Sequence, residues 1–251
     1  MGGALARAVS KVLTTELYIY DYNEQKAEDF SKEINAQKSD SITIAKECDY
    51  IFLGVKPNVL PSVLEGIKEA LFENERGILV SMAAGVKLER LEAIINYPII
   101  RIMPNTPVAV GAGMISFCKN GMVTVEQTAA FTEIMSECGR LIPLDERLID
   151  AATAVAGCGP AFVYMFIEAL ADGGVQCGLT REAALTLAAE TVKGAAEMVL
   201  KSEKHPEQLK DEVCSPGGST IVGVHALENG AFRADASGAV IAAFEKTQKL
   251  G

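Results

Sequence analysis

The chain has 251 residues, of which 49% are apolar, and its formal net charge is −10 at pH 7. This length is enough for a sizeable core in one or two domains. The acidic balance and the lack of any block of Lys or Arg argue against a nucleic-acid-binding protein and against binding to an anionic membrane surface.

Targeting and metal-binding patterns are also missing from the sequence. No apolar run reaches the roughly 20 residues that cross a membrane, and the start of the chain lacks the basic leader of a signal peptide. The six cysteines are scattered singly, without a CxxC pair or a Cys/His cluster. We therefore expect no metal site, no disulfide framework and a reduced, cytoplasmic compartment.

Short apolar runs alternate with helical patterns through the first half of the chain. The predicted strands cover residues 17–21, 50–55, 77–80 and 99–103. The predicted helices cover residues 24–34, 58–72 and 87–96. This βαβ alternation predicts an α/β fold with a Rossmann-like, doubly wound parallel sheet, in which ligands bind at the carboxyl ends of the strands.

Small and polar residues follow three of these strands, at 55–58, 81–85 and 103–107. Turns favour Pro, Asn, Ser and Gly in any case, so each segment alone could be an ordinary loop. Parallel strands bring their carboxyl ends to one edge of a sheet, however, so three such loops would form a single rim. We interpret this rim as a ligand-binding site.

Asp21 closes the first visible strand. In dinucleotide-binding folds an acid at this position hydrogen-bonds the ribose hydroxyls of NAD, whereas NADP sites place an Arg nearby. Residues 21–23 contain no Arg, and Lys26 is the nearest base. The alternative is a strand-end acid that caps the following helix, and the sequence leaves both open.

A dinucleotide-binding domain opens with a strand, the pattern G-x-G-x-x-G and a helix. This chain opens at Met1-Gly2-Gly3, which looks like the end of that turn, with Gly2 as its last glycine. The predicted N-terminal domain, residues 1–144, therefore lacks its first strand in the sequence as given. Either the given residues begin within the domain, or the protein is truncated and its cofactor binding is impaired.

From about residue 145 onward the pattern is helical, with no clear strand. Residues 161–176 and 180–200 are apolar on several sides, and a helix that is apolar all round must be buried all round. A helical segment of this size cannot bury such helices alone. We therefore predict a second domain, residues 145–251, that forms a homo-oligomer through its helices, the last of them over residues 235–250.

Residues 209–230 form a corner between two predicted helices, one ending near Val213 and one running from Ile221 to Asn229. The segment between them reads S-P-G-G-S-T at 215–220, with two adjacent glycines before a helix start. Bare N–H groups and the positive end of the helix suit a small carboxylate. The alternative is an ordinary helix–loop–helix corner with Ser or Thr as N-cap.

Five motifs, in order, resemble those of the pyrroline-5-carboxylate reductase family. They are V-K-P at 55–57, S-M-A-A-G-V at 81–86, R-I-M-P-N-T-P at 101–107, G-C-G-P-A followed by E-A-L-A-D-G-G-V within 157–175, and the stretch 209–220 that ends S-P-G-G-S-T. The resemblance covers nearly the whole chain. It implies the final step of proline biosynthesis, in which NADPH or NADH supplies hydride to 1-pyrroline-5-carboxylate to give L-proline.

The resemblance also implies roles for individual residues. Thr220 is expected to be the catalytic residue that hydrogen-bonds the substrate nitrogen. Substrate binding is expected to involve Ser215, Gly217, Gly218, Ser219 and Thr220. Cofactor binding is expected to involve Gly2, Asp21, Val55, Lys56, Pro57, Ala83, Ala84 and Asn105. An iminium is already a good electrophile, which agrees with the absence of His, Lys and carboxylates from residues 215–220.

Two residues depart from the family pattern. Cys158 stands where the family usually has Ser, so a weak thiol replaces a hydroxyl donor, and we expect this thiol to be inert. Asp21 departs from members that favour NADPH and leans the preference toward NADH. The two histidines, His205 and His225, are expected to be structural rather than catalytic.

Two other functions stand as alternatives. A β-hydroxyacid dehydrogenase or a related imine reductase also combines a Rossmann domain with helices, often with a catalytic lysine. Lys193 is the candidate for that role, although residues 194–196 beside it offer no polar partner. A non-catalytic dinucleotide-binding protein is the other alternative, which a true truncation would favour.

Overall fold

The computed structural model describes residues 1–12 and 15–249. The predicted end of the last helix, at Leu250, lies outside these residues. The chain forms two compact units, one made of Met1–Cys158 with the chain from Ala243 onward and the other made of Gly159–Ala242. Among the described residues, two buried hydrophobic clusters lie in the first unit and one lies in the second.

The first unit alternates strands and helices, and each predicted strand and helix overlaps an observed one. Its strands are β1 (Tyr18–Ile19), β2 (Gln37–Lys38), β3 (Tyr50–Leu53), β4 (Ile78–Ser81), β5 (Ile99–Met103), β6 (Gly113–Lys119) and β7 (Gly139–Pro143). Its α-helices are α1 (Gly2–Val9), α2 (Glu24–Glu33), α3 (Ser41–Glu47), α4 (Leu60–Glu73), α5 (Leu88–Glu92), α6 (Val125–Ile134) and α7 (Ile149–Ala152). A π-helical turn, Thr153–Gly157, follows α7.

The main sheet has the strand order β3-β4-β5-β6-β7, and β1 and β2 pair separately as a short parallel ladder. Strands β3, β4 and β5 are parallel, which confirms the Rossmann-like sheet. Strand β6 runs antiparallel to β5, a reversal that the sequence pattern did not predict. The connection between them, residues 104–112, is shorter than the dozen or so residues that a parallel crossover needs.

Alternate residues of the central strands face two separate hydrophobic clusters. Leu79 and Ile99 belong to the cluster that includes α4, whereas Ile78 and Ile100 belong to the cluster that includes α1 and Phe131. Every residue of β4 and β5 is buried, as expected for strands covered on both faces. This packing fixes the ends of the strands and therefore the start of each loop that follows them.

The rest of the chain is helical, as the pattern predicted. Its helices are α8 (Gly159–Gln176), α9 (Arg181–Lys201), α10 (Pro206–Glu212), α11 (Ser219–Asn229) and α12 (Phe232–Gln248). Gly178, with a φ of 101°, lies in the turn after α8. The Thr180 hydroxyl then accepts a hydrogen bond from the Ala183 N–H at 3.3 Å, so Thr180 caps α9.

Several of these helices expose apolar side chains on the single chain. Met165 of α8, Leu200 of α9 and Val222 of α11 are 70%, 69% and 67% exposed. Among the described residues of this unit, the buried cluster consists of Ala171, Ala184 and Ala188. The burial expected for these helices is therefore not achieved within one chain, and another surface is needed to cover them.

Among the described residues, one stretch of successive helical segments, Glu146–Gln176, is long and apolar enough to cross a membrane by length and composition. The expectation that no run would reach this size was wrong. It considered unbroken apolar runs, and the apolar residues of α8 are interrupted by Glu168 and Asp172. Only 11% of the apolar window is buried, in line with the uncovered helix faces described above.

Candidate active site

Three of the predicted cofactor segments follow neighbouring parallel strands. Val55, Lys56 and Pro57 follow β3, Ala83 and Ala84 follow β4, and Asn105 follows β5. The ends of these strands are in register, with Leu53 beside Ser81 and Ser81 beside Arg101. The three loops therefore leave the same edge of the sheet, and this edge is called the rim below.

The first helix begins beside this rim. A Cβ atom built on Gly2 would lie 3.7 Å from the Cα of Gly54, so these two glycines face each other at van der Waals distance. Helix α1 begins at Gly2 with no side-chain cap, and the N–H groups of a first helical turn have no partner within the helix. A bare backbone cradle at a helix N-terminus fits a phosphate group of a dinucleotide.

Gly54 adjoins the rim, a position that the sequence pattern did not indicate. The apolar run 50–55 predicts Gly54 inside a strand, but β3 ends at Leu53 and Gly54 is exposed. A glycine just beyond the end of a buried strand was the available signal, because glycine marks close backbone approach.

The side chain of Asn105 forms hydrogen bonds within the first unit. Its amide Nδ2 donates to the carbonyl of Ala156 at 2.9 Å, and its Oδ1 accepts from the N–H of Met114 at 2.9 Å. The side chain is buried, with 7% of its residue surface exposed. Asn105 thereby joins the end of β5 to the start of β6 and to the π-helical turn.

Lys56 and Ala83, which lie in two of the rim loops, differ in their exposure to solvent. Lys56 is exposed, and its carbonyl accepts hydrogen bonds from the N–H groups of Val59 and Leu60 at the start of α4. Ala83 is buried in the hydrophobic cluster that includes α4, so its methyl group is part of the core. Its N–H donates to the Ser81 hydroxyl at 3.4 Å, which bends the chain as it leaves β4.

Asp21 lies beyond the end of β1 and has a basic partner. Its Oδ2 lies 2.5 Å from Nζ of Lys26, and its Oδ1 accepts the N–H of Asn23 at 3.0 Å. Lys26, and to a smaller degree the Asn23 N–H, lower the pKa of the Asp21 carboxyl below its usual value. Asn23, not Asp21, is the N-cap of α2, so the alternative that Asp21 caps this helix was wrong.

The 215–220 corner begins with a tight turn. The Gly218 N–H donates to the Ser215 carbonyl at 3.0 Å, with Pro216 and Gly217 as the central residues. Gly217 has a φ of 71°, which is the conformation that a type II turn requires at its third position. A Cβ on Gly218 would come 2.4 Å from Oγ of Ser215, so the turn is built for glycine at both positions.

Helix α11 begins directly after this turn, at Ser219, two residues earlier than the predicted Ile221. Gly218 is the N-cap in extended backbone and provides no side-chain cap. Ser219 and Thr220 are exposed and lie in the first turn of the helix. Their backbone N–H groups and hydroxyls thus form a compact set of donors, which suits a small carboxylate.

The two histidines and Lys193 make no contact with the described residues that indicates a catalytic role. Nδ1 of His205 accepts the Glu207 N–H at 3.3 Å and caps α10, while His225 is exposed on α11. Lys193 pairs with Glu190 one turn earlier at 3.3 Å, a partner that lies outside residues 194–196. Across residues 1–12 and 15–249, no three His, Cys, Asp or Glu side chains cluster as metal ligands.

Two family models match the chain. The one described as pyrroline-5-carboxylate reductase dimerisation matches residues 146–250, and the one described as NADP oxidoreductase coenzyme F420-dependent matches residues 1–85. The first model covers the helical half, and the second covers the chain through β3 and β4 as far as residue 85 of the loop after β4.

The curated relatives include pyrroline-5-carboxylate reductases from Arabidopsis thaliana and Escherichia coli (strain K12). The first is 46% identical over 213 residues, which cover 84% of this chain and 76% of the relative. The second is 39% identical over 253 residues, which cover 100% of this chain and 93% of the relative.

Solved structures of similar fold include two with the same family name. The Plasmodium falciparum pyrroline carboxylate reductase with NADP bound has a TM-score of 0.88 and 36% identity, and the match covers 100% of this chain and 94% of that one. The Coxiella burnetii pyrroline-5-carboxylate reductase has a TM-score of 0.90 and 32% identity, with 100% and 96% covered. This chain belongs to the pyrroline-5-carboxylate reductase family.

Proposed function

We propose that this protein reduces 1-pyrroline-5-carboxylate to L-proline, with NADPH or NADH as the reductant. The observation that carries the proposal is the 215–220 corner, where a glycine-built turn leads directly into the uncapped first turn of α11. Membership of the reductase family supports the same reaction.

The corner has the chemistry to bind the substrate carboxylate. The N–H groups of Gly217, Ser219 and Thr220 and the hydroxyls of Ser215 and Ser219 supply neutral donors, whereas the Gly218 N–H is used in closing the turn. The positive end of α11 favours an anion. Because Pro216 fixes one backbone dihedral and the hydrogen bond from Gly218 to Ser215 closes the turn, these donors are ordered before the substrate arrives, which reduces the entropy cost of binding.

We assign to Thr220 the hydrogen bond with the ring nitrogen of the substrate. Its hydroxyl can donate or accept, so it can follow the nitrogen as it changes from imine to amine. An iminium carbon accepts hydride readily, so the chain needs to orient the ring rather than to supply a strong acid. This is consistent with a corner that contains Ser, Thr, Pro and Gly alone.

The rim is assigned to the cofactor, which when bound supplies the hydride. Gly2 and Gly54 leave the start of α1 open for a phosphate group, and Lys56 adds an exposed positive charge beside it. Val55, Pro57 and Ala84 line the rest of the rim, together with the backbone of Ala83, whose methyl group is buried. Asn105 supports this site by holding the end of β5 through its side-chain amide.

Asp21 is assigned to the ribose hydroxyls and favours NADH over NADPH. Its lowered pKa keeps it ionised at neutral pH, and a fixed negative charge repels a 2′-phosphate. Lys26 offsets part of that charge, so the preference is modest rather than absolute.

The helical domain, residues 145–251, is assigned to homo-oligomer formation with a dimer as the unit. The family model for dimerisation matches this region, and its helices expose apolar side chains on the single chain. We infer that the apolar stretch Glu146–Gln176 is covered by a partner subunit rather than by lipid, and that the protein acts in the cytoplasm.

The direct test is turnover of 1-pyrroline-5-carboxylate by the purified protein, followed by nicotinamide absorbance and by identification of proline. Turnover with proline as product supports the proposal. A β-hydroxyacid dehydrogenase would instead oxidise hydroxy acids and lose activity in Lys193→Ala. Binding of NADH or NADPH without turnover would favour the non-catalytic alternative.

A further inference from the structure

Glu146 joins the loop after β4 to the neighbouring strand β5. Its Oε1 accepts the backbone N–H of Leu88 at 2.7 Å and also lies 3.0 Å from Nη1 of Arg101. Leu88 and Glu146 are 58 residues apart in the chain, so this contact exists only in the folded unit.

Arg101 holds this carboxylate from inside the core. Its side chain is 1% exposed, although it carries a full positive charge on a fully buried strand. Nη1 faces Glu146 and Nη2 faces Asp150 at 3.3 Å, while Nε has no hydrogen-bond partner within the described residues. A charge buried this deeply needs its carboxylate partners, so the position of Glu146 is strongly determined.

The contact with Leu88 replaces a missing helix cap. Helix α5 begins at Leu88, and its N-cap residue, Lys87, makes no side-chain capping hydrogen bond. Glu146 provides the acceptor for the first N–H of α5, and a carboxylate at a helix N-terminus is favourable. Glu146 therefore fixes the point at which the loop ends.

The loop in question, residues 82–87, carries Ala83 and Ala84. Its beginning is held by the hydrogen bond from the Ala83 N–H to the Ser81 hydroxyl at 3.4 Å. Its end is held by Glu146, and Gly85 between them has a φ of 75°. Hydrogen bonds therefore hold the loop at both of its ends.

We propose that Glu146, held by Arg101, is a positioning residue that sets the shape of the 82–87 loop for nicotinamide nucleotide binding. The inference rests on the proposed function, because that function assigns Ala83 and Ala84 to the cofactor. Glu146 itself acts through the Leu88 N–H and needs no contact with the nucleotide.

Asp150 supplies a matched control. It also gives a carboxylate to Arg101 but makes no hydrogen bond to the described residues of the loop. The experiment measures the Kd of NADPH and NADH by fluorescence titration for the wild type, Glu146→Ala and Asp150→Ala. Glu146→Ala is expected to raise Kd about tenfold, the loss expected for a charged hydrogen bond, and Asp150→Ala to leave it unchanged.

Two further readouts separate positioning from general stability. Glu146→Gln keeps an acceptor oxygen for Leu88 but loses the charge, so it is expected to restore part of the affinity, and kcat at saturating cofactor should be unchanged in Glu146→Ala. Hydrogen exchange at the Leu88 amide, measured without cofactor, should be faster in Glu146→Ala alone. If Glu146→Ala fails to fold, Glu146→Asp, whose carboxylate is one methylene shorter, takes its place in the comparison.

Equal increases in Kd for Glu146→Ala and Asp150→Ala would overturn the inference, as would an unchanged Kd in Glu146→Ala or a lack of rescue by Glu146→Gln. Failure of the proposed function has a different signature. In that case the wild type itself would bind neither nucleotide, and both the function and the positioning role would fall.

Discussion

The carbonyl of Ser215 accepts a hydrogen bond from the N–H of Gly218, and this 3.0 Å contact sets the direction in which α11 begins. Because the turn closes at Gly218, the following residues, Ser219 and Thr220, enter the first helical turn with their N–H groups free of helical partners. The turn geometry and the proposed carboxylate site are therefore the same feature.

Gly217→Ala tests this turn. Nothing lies within 4 Å of a Cβ at Gly217, so the cost comes only from its positive φ. We expect a loss of about 1 kcal/mol in the free energy of unfolding and a higher KM for 1-pyrroline-5-carboxylate. Urea unfolding at fixed protein concentration and steady-state kinetics measure the two effects.

The control is Gly223→Ala inside α11, where a Cβ also meets open space and alanine favours the helix. Similar behaviour of the two variants would contradict the assigned turn.

Gly54→Val tests the open cradle at the start of α1. A branched side chain would fill the space that faces Gly2, where a Cβ already lies 3.6 Å from the Gly2 Cα. We expect the KM for both nucleotides to rise about tenfold, or about 1.4 kcal/mol, with the KM for the imine unchanged. Gly66→Val on α4, where a Cβ meets open space, is the matched control. An unchanged nucleotide KM in Gly54→Val would remove the phosphate from this position.

Asp21→Ala tests the cofactor preference. Loss of the ionised carboxylate removes a partner for the ribose hydroxyls of NADH and a source of repulsion for the 2′-phosphate of NADPH. The ratio of kcat/KM for NADH to that for NADPH should fall about two- to fivefold, a modest change because the group is near the surface. Asp29→Ala, on the exposed side of α2, should leave the ratio unchanged. The assignment of Asp21 would fail if both variants behaved alike.

The acid dependence of stability should report on Glu207. Hydrogen bonds from Lys210 and Arg233 lower the pKa of the Glu207 carboxyl from 4.5 to about 2. A depressed carboxyl pKa stabilises the folded state above the unfolded pKa, and this contribution is lost as the pH falls from 4.5 toward 2. The free energies of unfolding of the wild type and Glu207→Gln should therefore differ near pH 6 and converge in acid. The group is exposed, so the difference should be small, and a constant gap across this range would contradict the assignment.

The central strands and the motif-bearing loops were predictable because their patterns are local. The run at 99–103 is entirely apolar apart from Arg101, and it forms a strand buried on both faces. The loops after β3 and β4 lie at one edge because parallel strands place them there. By contrast, β2 has two exposed residues, Gln37 and Lys38, and gives no hydrophobic signal. Strand β7 is an edge strand of the described sheet that ends at Pro143, a residue that lowers any strand prediction.

The parts of the site that escaped prediction depend on contacts between distant residues. Arg101 was recognised only as part of a motif, and its carboxylate partners lie 45 and 49 residues later. The sequence places Asn105 near the cofactor but does not predict that its side chain bonds to Ala156 and Met114. A sequence pattern shows which polar residues are present, but the folded structure determines which of them form hydrogen bonds within the protein.

The most direct test of the account is the turnover of 1-pyrroline-5-carboxylate by variants of Thr220. Thr220→Val keeps the shape of the side chain without its hydroxyl, while Thr220→Ser keeps the hydroxyl. The account predicts that Thr220→Val lowers kcat ten- to a hundredfold, as loss of a positioned polar group does, and that Thr220→Ser and His225→Ala stay near the wild type. If instead His225→Ala lost the activity and Thr220→Val kept it, the assigned role of the corner would be contradicted.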